Sequence, residues 1–201
     1  MQLVGMLDSP YVRRVAVSLH LLEIPFMHRP ISVFSGFDAF GQLNPVVKAP
    51  TLVCDDGTAL MDSSLILQFV EAEAGRSLIP SDPAERRRAF RIIGLALAAC
   101  EKTVQIVYER NLRPSEKQHG PWIERVGGQL HAAYALLEQD LAAAPLPVQA
   151  STLTQAGVSA AVAWAFTRMM LPATVDAAAH PALCELSAAA EQLSAFKAAP
   201  P

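Results

Sequence analysis

Hydrophobic and polar positions in the first third of the chain alternate between strand-like runs and helical periodicity. Short apolar runs at QLVGM (2–6) and IPFMHRPISV (24–33) predict two strands. Between them, from Pro10 to Glu23, apolar residues recur on one helical face, which predicts a helix. Because a helix joins the two strands, we expect them to be parallel.

A hairpin and a second helix follow. FSGFDAFGQLNP (34–45) is predicted to be a loop, and APTLVCDDGTALM (49–61) a hairpin turning at Asp56-Gly57. SSLILQFVEAEAG (63–75) predicts a helix that begins on serines and ends at its glycine. The order β-α-β, hairpin, α indicates an α/β sheet domain.

The pattern changes to helical beyond this domain. Strand patterns nearly vanish, and Ala, Leu, Glu and Arg dominate. We predict helices near 84–110, 121–142, 153–171 and 181–196. The predicted organisation is a first domain over 1–76, a linker over 77–83 and an all-helical domain over 84–201.

Composition narrows the classes of function. The 201 residues are 52% hydrophobic and 17% charged, with a formal net charge of −3, which gives no electrostatic argument for nucleic acid or an anionic membrane. No metal-ligand spacing, targeting segment or membrane-length apolar stretch is apparent, so we expect no metal and a soluble, cytoplasmic protein. The three cysteines fit reduced thiols: Cys54, Cys100 and Cys184.

Two dipeptides could either cap helices or bind an anion. Ser9-Pro10 suits the start of a helix, and the same position would hold a hydroxyl beside an anion at the helix N-terminus. Asp62-Ser63 also suits a cap. Alternatively, Asp62 would bind an ammonium group, while Ser63 and the helix N–H groups bind a carboxylate.

The Ala49-Pro50 pair opens the predicted hairpin. Pro50 lacks an N–H for the ladder, so it is either an ordinary strand-entry proline or part of a turn. Such a turn would expose the backbone N–H and C=O of Ala49 to an extended peptide.

The order and spacing of these features resemble the glutathione S-transferase family nearly end to end, and most closely its small bacterial YibF-like members. The resemblance is carried by SPYVRRV (9–15), QLNPVVKAPTLVCDDG (42–57), LMDSSLILQFVE (60–71) and LIPSDPAERRRA (78–89). It implies a thioredoxin-like α/β N-terminal domain followed by an all-α helical domain, in a homodimer. It also implies glutathione as co-substrate and a role in detoxification.

The resemblance assigns roles to these residues. Ser9 would face the glutathione sulfur, and Ala49, before a cis Pro50, would pair with the cysteinyl backbone. Asp62 and Ser63 would hold the γ-glutamyl end, and Lys48 would either pair with the glycyl carboxylate or remain solvated. A hydroxyl donor and a helix N-terminus stabilise a thiolate, the nucleophilic form of a thiol.

The expected activity is attack of the glutathione thiolate on a small hydrophobic electrophile. Alternatives are a non-catalytic glutathione-binding or interaction protein, or a glutathione-dependent peroxidase, isomerase or dehalogenase. The electrophile pocket would be lined by one face of the first helix of the second domain. The residues at this helical spacing are Thr103, Val107, Tyr108 and Asn111. Packing in the core or at a dimer interface is the alternative role for each of them. Trp122 and Trp164 are predicted to be core anchors, with a platform for the substrate as the alternative.

The chain departs from the family pattern at two places. Val47 stands where many relatives carry glycine, and a valine does not easily adopt positive φ. Thr152 and Gln155 stand where relatives tend to place a Ser/Thr cap and an Asp, and they are expected to form a capping box. No cysteine occupies the Ser9 position, which argues against a cysteine-based reductase.

Overall fold

The computed structural model describes all 201 residues, which divide into two units. One unit contains Met1–Leu78 together with Gln192–Pro201, and the other contains Ile79–Glu191. Eight α-helices are numbered in chain order: α1 Pro10–Leu21, α2 Phe37–Gly41, α3 Ser63–Ala74, α4 Pro83–Leu112, α5 Gly120–Ala143, α6 Gln155–Met170, α7 Pro181–Ala190 and α8 Ser194–Lys197. A short 3-10 helix covers Ser115–Lys117.

The first unit contains a four-stranded sheet in the order β2-β1-β3-β4. β1 is parallel to β2 and antiparallel to β3, and β3 pairs antiparallel with β4, so the predicted parallel pair and hairpin are confirmed. The strands are β1 Gln2–Val4, β2 Met27–Arg29, β3 Thr51–Val53 and β4 Ala59–Leu60.

Helix α1 is buried around most of its circumference, and it packs against β1, α3 and α8. Its predicted apolar face includes Val12, Val15 and Leu19, which are fully buried. The burial extends to Arg13 and Arg14, whose charged side chains lie outside that apolar face. Such burial requires polar partners for both guanidinium groups.

The second unit is helical throughout. α4 packs against α5 and α6, and α7 packs against α6 and α5. Tyr134 is fully buried; its hydroxyl donates to the carbonyl oxygen of Ala163 at 2.9 Å, and its oxygen lies 2.6 Å from the Thr167 hydroxyl. Burial raises the Tyr134 pKa, so this hydroxyl stays protonated and remains a donor in the core.

The end of the chain differs from its predicted assignment to the helical domain. The predicted final helix over 181–196 divides into α7 and α8, and residues 192–201 belong to the first unit. The physical reason is tertiary: Arg13 on α1 donates to the carbonyl of Ala199, and Phe196 is fully buried. Helix propensity alone does not specify such a contact.

Three local predictions also need correction. The segment 34–45 contains the short helix α2 instead of being loop throughout. Helix α6 begins at Gln155 after Thr154, so Thr152 is not its N-cap; the Gln155 amide instead reaches the Ser159 hydroxyl. Trp164 is buried as predicted, whereas Trp122 is exposed and is not a core anchor.

Candidate functional site

The first turn of α1 presents Ser9 without using its hydroxyl as a cap. Ser9 occupies the N-cap position and Pro10 follows at the start of the helix, yet the Ser9 side chain makes no capping hydrogen bond. Its backbone is fixed at both ends, since its N–H donates to the Met6 carbonyl and its carbonyl accepts from the Arg13 N–H. The hydroxyl therefore remains available at the positive end of a twelve-residue helix.

The Ala49–Pro50 peptide is cis, and a buried hydrogen-bond network supports the surrounding turn. The Asn44 amide donates to the Thr51 hydroxyl at 2.8 Å, and that hydroxyl donates to the Lys48 carbonyl at 2.8 Å. The carbonyl of the Asn44 side chain accepts the Val46 N–H at 3.0 Å. These bonds fix the backbone on both sides of Ala49. Asn44 was not predicted as a site residue, and the Asn-Pro pair in QLNP is its only sequence indication.

Val47 adopts a left-handed conformation, which is unfavourable for valine. Its φ is +50°, and its N–H donates to the Asn44 carbonyl at 2.9 Å. A β-branched residue with positive φ is a backbone outlier that the surrounding structure must impose. The turn thus keeps the conformation a glycine would adopt more easily, and it does so with valine.

Gly5 brings the end of β1, helix α1 and the Ala49 turn into close contact. A Cβ added at Gly5 would lie 2.6 Å from Cγ2 of Val12 and 3.1 Å from Cβ of Ala49. Gly5 also has φ +137°, a backbone conformation that favours glycine. Because Val12 lies one turn after Ser9, this contact places the Ala49 turn beside the first turns of α1.

Asp62 caps helix α3. Its Oδ1 atom accepts from the backbone N–H groups of Ser64 at 2.9 Å and Leu65 at 3.2 Å, which confirms the capping interpretation. The carboxylate is exposed. Only one oxygen carries these bonds, so capping leaves the negative charge accessible to a cation, and the two roles are compatible. The Met61–Asp62 peptide is also cis.

Ser63 is buried at the start of α3 and is held by Arg14, which was not predicted as a site residue. The Nη1 atom of Arg14 donates to the Ser63 hydroxyl at 3.1 Å and to the Ser64 hydroxyl at 3.2 Å. Because the Ser63 oxygen accepts this bond, its own O–H proton is directed elsewhere and can be donated to an anion. The Arg14 charge adds to the positive N-terminal end of α3.

A family model described as glutathione S-transferase, N-terminal domain, matches residues 3–78. A glutathione transferase family member from Pseudomonas fluorescens Pf-5, solved with bound glutathione, is 30% identical, with a TM-score of 0.83 over 100% of this chain and 98% of that one. The chain belongs to the glutathione S-transferase family.

Two other relatives extend the similarity over most of the chain. The uncharacterized GST-like protein YibF of Escherichia coli strain K12 is 27% identical over 173 residues, which cover 86% of this chain and 85% of that protein. A glutathione S-transferase from Methylobacterium radiotolerans JCM 2831, solved with glutathione sulfonate, is 25% identical. Its TM-score is 0.90 over 100% of this chain and 94% of its own. The fold is therefore the glutathione S-transferase fold, with a thioredoxin-like first domain.

The glutathione-binding residues predicted for this chain all lie in its first unit. Lys48 and Asp62 are exposed, and Ser9 and Ala49 are partly buried. Pro50 and Ser63 are buried. Their assignment as glutathione ligands stays a prediction.

The four residues predicted to line an electrophile pocket lie on α4, and they differ in exposure. Thr103 is fully buried, with its hydroxyl 2.7 Å from that of Thr167, and Val107 is also buried. Tyr108 and Asn111 are exposed. A pocket on this face would therefore use Tyr108 and Asn111 first, while Thr103 packs within the helical unit.

The structure gives less support to a cysteine nucleophile or a metal site. All three cysteines are free, and burial together with the carboxylates of Asp56 and Asp55 raises the pKa of the Cys54 thiol. A raised pKa makes Cys54 a poor nucleophile at neutral pH. No group of three or more His, Cys, Asp or Glu side chains is arranged to hold a metal ion. None of the helices has the length and apolar character needed to cross a membrane.

Proposed function

We propose that this protein is a glutathione transferase that binds glutathione in its first unit and joins the glutathione sulfur to small hydrophobic electrophiles. The observation that carries the proposal is the Ser9 hydroxyl, which stands at the N-terminus of α1 and makes no capping hydrogen bond. The glutathione bound to the Pseudomonas fluorescens relative, which is similar over the whole chain, adds support.

The proposed binding mode uses complementary charge at both ends of the tripeptide. Asp62 pairs with the γ-glutamyl ammonium, and the Ser63 hydroxyl with the α3 N-terminus binds the neighbouring carboxylate. The N–H and C=O of Ala49 pair with the cysteinyl backbone in the manner of an added strand. Lys48, exposed beside this turn, pairs with the glycyl carboxylate.

The proposed chemistry begins with ionisation of the bound thiol. Its proton passes to solvent, and the Ser9 hydroxyl donates a hydrogen bond to the remaining thiolate. Each pKa unit below the ordinary thiol value of about 8.5 requires about 1.4 kcal/mol of preferential thiolate stabilisation. The sulfur then forms a bond to the electrophilic carbon, and the leaving group departs with the bonding electron pair. Ser9 acts as a donor to the anion and not as a base.

The test combines binding with turnover. Calorimetric titration compares glutathione with cysteinylglycine, which lacks the γ-glutamyl ammonium and carboxylate that Asp62 and Ser63 would bind. Turnover is followed with an aryl halide. We expect glutathione to bind, the dipeptide to bind much more weakly and the halide to be displaced. No binding of glutathione at millimolar concentration contradicts the proposal. Binding without turnover of the halide, hydroperoxides or isomerisable substrates would indicate a glutathione-binding protein.

We further propose a homodimer in the cytoplasm. The homodimer follows from the family resemblance, and three free cysteines fit a reducing compartment. Light scattering of the purified protein tests the assembly, with a monomer mass as the contradicting result.

A further inference from the structure

Arg13 on α1 carries a buried charge that contacts the C-terminal segment, residues 192–201. Its Nε atom donates to the Ala199 carbonyl at 2.9 Å. Its guanidinium carbon lies 5.5 Å from the centre of the Phe196 ring. Arg13, Phe196 and Ala199 are all buried. A buried guanidinium requires such partners, so the C-terminal segment is part of the environment that keeps this side chain in place.

The backbone of the same residue belongs to the first turn of α1. The Arg13 N–H donates to the Ser9 carbonyl at 2.9 Å, the first hydrogen bond of the helix after its N-cap. Arg13 therefore contacts the C-terminal segment through its side chain and Ser9 through its backbone. Since the Ser9 hydroxyl makes no capping bond, the orientation of this serine depends on its backbone contacts.

The C-terminal segment has enough local structure to act as a fixed partner. Phe196 lies within α8, and the Ala199 N–H donates to the Phe196 carbonyl at 3.1 Å. This turn directs the Ala199 carbonyl to Arg13 while satisfying the Ala199 N–H. The contact joins positions 186 residues apart in the sequence.

We propose that Arg13 is a positioning residue through which the C-terminal segment fixes the first turn of α1 and thereby the Ser9 hydroxyl. This inference rests on the proposed role of Ser9 at the glutathione sulfur. It assigns residues 192–201 to the maintenance of the glutathione site, although none of them is proposed to touch glutathione.

The experiment uses full-length variants on both sides of the contact. Arg13→Met removes the hydrogen bond to Ala199, and Phe196→Ala removes the ring that contacts the guanidinium. Arg13→Lys keeps a charged hydrogen-bond donor at position 13. Val70→Ala, at a buried position in the C-terminal half of α3, is a control for general loss of stability. Lys197→Ala changes an exposed residue of the same segment. The measurements are the ultraviolet titration of bound glutathione thiolate, the glutathione Kd and amide hydrogen exchange.

We expect Arg13→Met and Phe196→Ala to move the thiolate titration midpoint towards that of free glutathione. They should also weaken glutathione binding about tenfold, as expected when a hydrogen bond to a charged group is lost. Exchange of the Arg13 amide should become about ten- to hundred-fold faster, the factor for losing one hydrogen bond to a charged group. Arg13→Lys should recover part of both effects, while Lys197→Ala and Val70→Ala leave the titration midpoint unchanged.

An unchanged midpoint in both Arg13→Met and Phe196→Ala overturns the proposal. So does an equal shift in Val70→Ala, because the effect would then reflect stability alone. If the unaltered protein fails to bind glutathione, the proposed function fails, and hydrogen exchange still tests the contact between the C-terminal segment and α1. Unchanged exchange at the Arg13 amide would refute, independently of glutathione, that the C-terminal segment fixes the first turn of α1. If Arg13→Met does not fold, Phe196→Ala supplies the decisive comparison.

Discussion

The Nη1 atom of Arg14 lies 3.1 Å from the hydroxyl oxygen of Ser63, so a buried guanidinium on α1 holds the first side chain of α3. Ser63 accepts this hydrogen bond, and its own proton is left to donate. The adjacent Ser64 hydroxyl accepts from the same nitrogen at 3.2 Å but is exposed. Two neighbouring serines thus share one donor, and only Ser63 is proposed to bind an anion.

This pair provides a matched test of the γ-glutamyl carboxylate site. Ser63→Ala should weaken glutathione binding by about 1–3 kcal/mol, because it removes a hydrogen bond to a charged group. Ser64→Ala loses the same bond to Arg14 and should leave affinity nearly unchanged. Calorimetry measures both. Equal losses in the two variants would show that Arg14, and not the Ser63 hydroxyl, governs the affinity.

Asp62 can be tested for charge separately from capping. Asn at position 62 can still accept the Ser64 and Leu65 N–H bonds but carries no charge for an ammonium group. Asp62→Asn should therefore weaken glutathione binding by about 1–3 kcal/mol with little change in thermal stability.

Asp82 is the control for this change, because it caps α4 with the same pattern. Its Oδ1 accepts from Ala84 and Glu85, each at 2.9 Å. Asp82→Asn should leave binding unaltered. Should Asp62→Asn bind glutathione as tightly as the unaltered protein, Asp62 serves only as a cap.

Ser9→Ala should separate catalysis from folding. Since the Ser9 hydroxyl makes no capping hydrogen bond, the variant should lose less than about 0.5 kcal/mol of stability, below the range for a true cap. The pKa of the bound thiol should rise by about one unit, because a donor worth about 1.4 kcal/mol to the thiolate is lost.

The rising limb of the pH–rate profile reports this shift. A higher thiol pKa means that less thiolate is present at a given pH, so the limb should move to higher pH and activity at neutral pH should fall. A pH–rate profile identical to that of the unaltered protein, combined with a lowered Tm, would assign Ser9 to helix capping alone.

Substitution by glycine should destabilise the protein less at position 47 than at the neighbouring position 46. Glycine removes a left-handed penalty of about 1–2 kcal/mol for non-glycine residues. Val46 has no positive φ, so Val46→Gly gains no such relief and loses about 0.5–1 kcal/mol through chain entropy. Urea denaturation should therefore find Val47→Gly more stable than Val46→Gly by about 1–2 kcal/mol. If the two stabilities agree, the turn imposes no strain on Val47.

The sequence predicted elements whose cause is local. Asp56-Gly57 marks the hairpin turn, and Gly75, with φ of +63°, ends α3. Each depends on a conformation that glycine adopts without penalty. The parallel pairing of β1 and β2 followed from the helix between them.

The buried arginines could not be predicted in the same way. Arg13 and Arg14 lie outside the apolar face of α1, where a periodicity argument places solvent. Their partners are distant in sequence: Ala199 for Arg13 and Ser63 for Arg14. Likewise, the spacing of Thr152 and Gln155 predicts a capping box, whereas α6 begins at Gln155 directly after Thr154.

The contact at Gly5 has an evolutionary consequence. Even a methyl group at position 5 would overlap Cγ2 of Val12 and press against Cβ of Ala49. A larger residue at position 5 therefore requires a smaller side chain at position 12 or 49. At position 49 only glycine is smaller than the alanine already present. We therefore expect substitutions at positions 5, 12 and 49 to be correlated among descendants of this sequence.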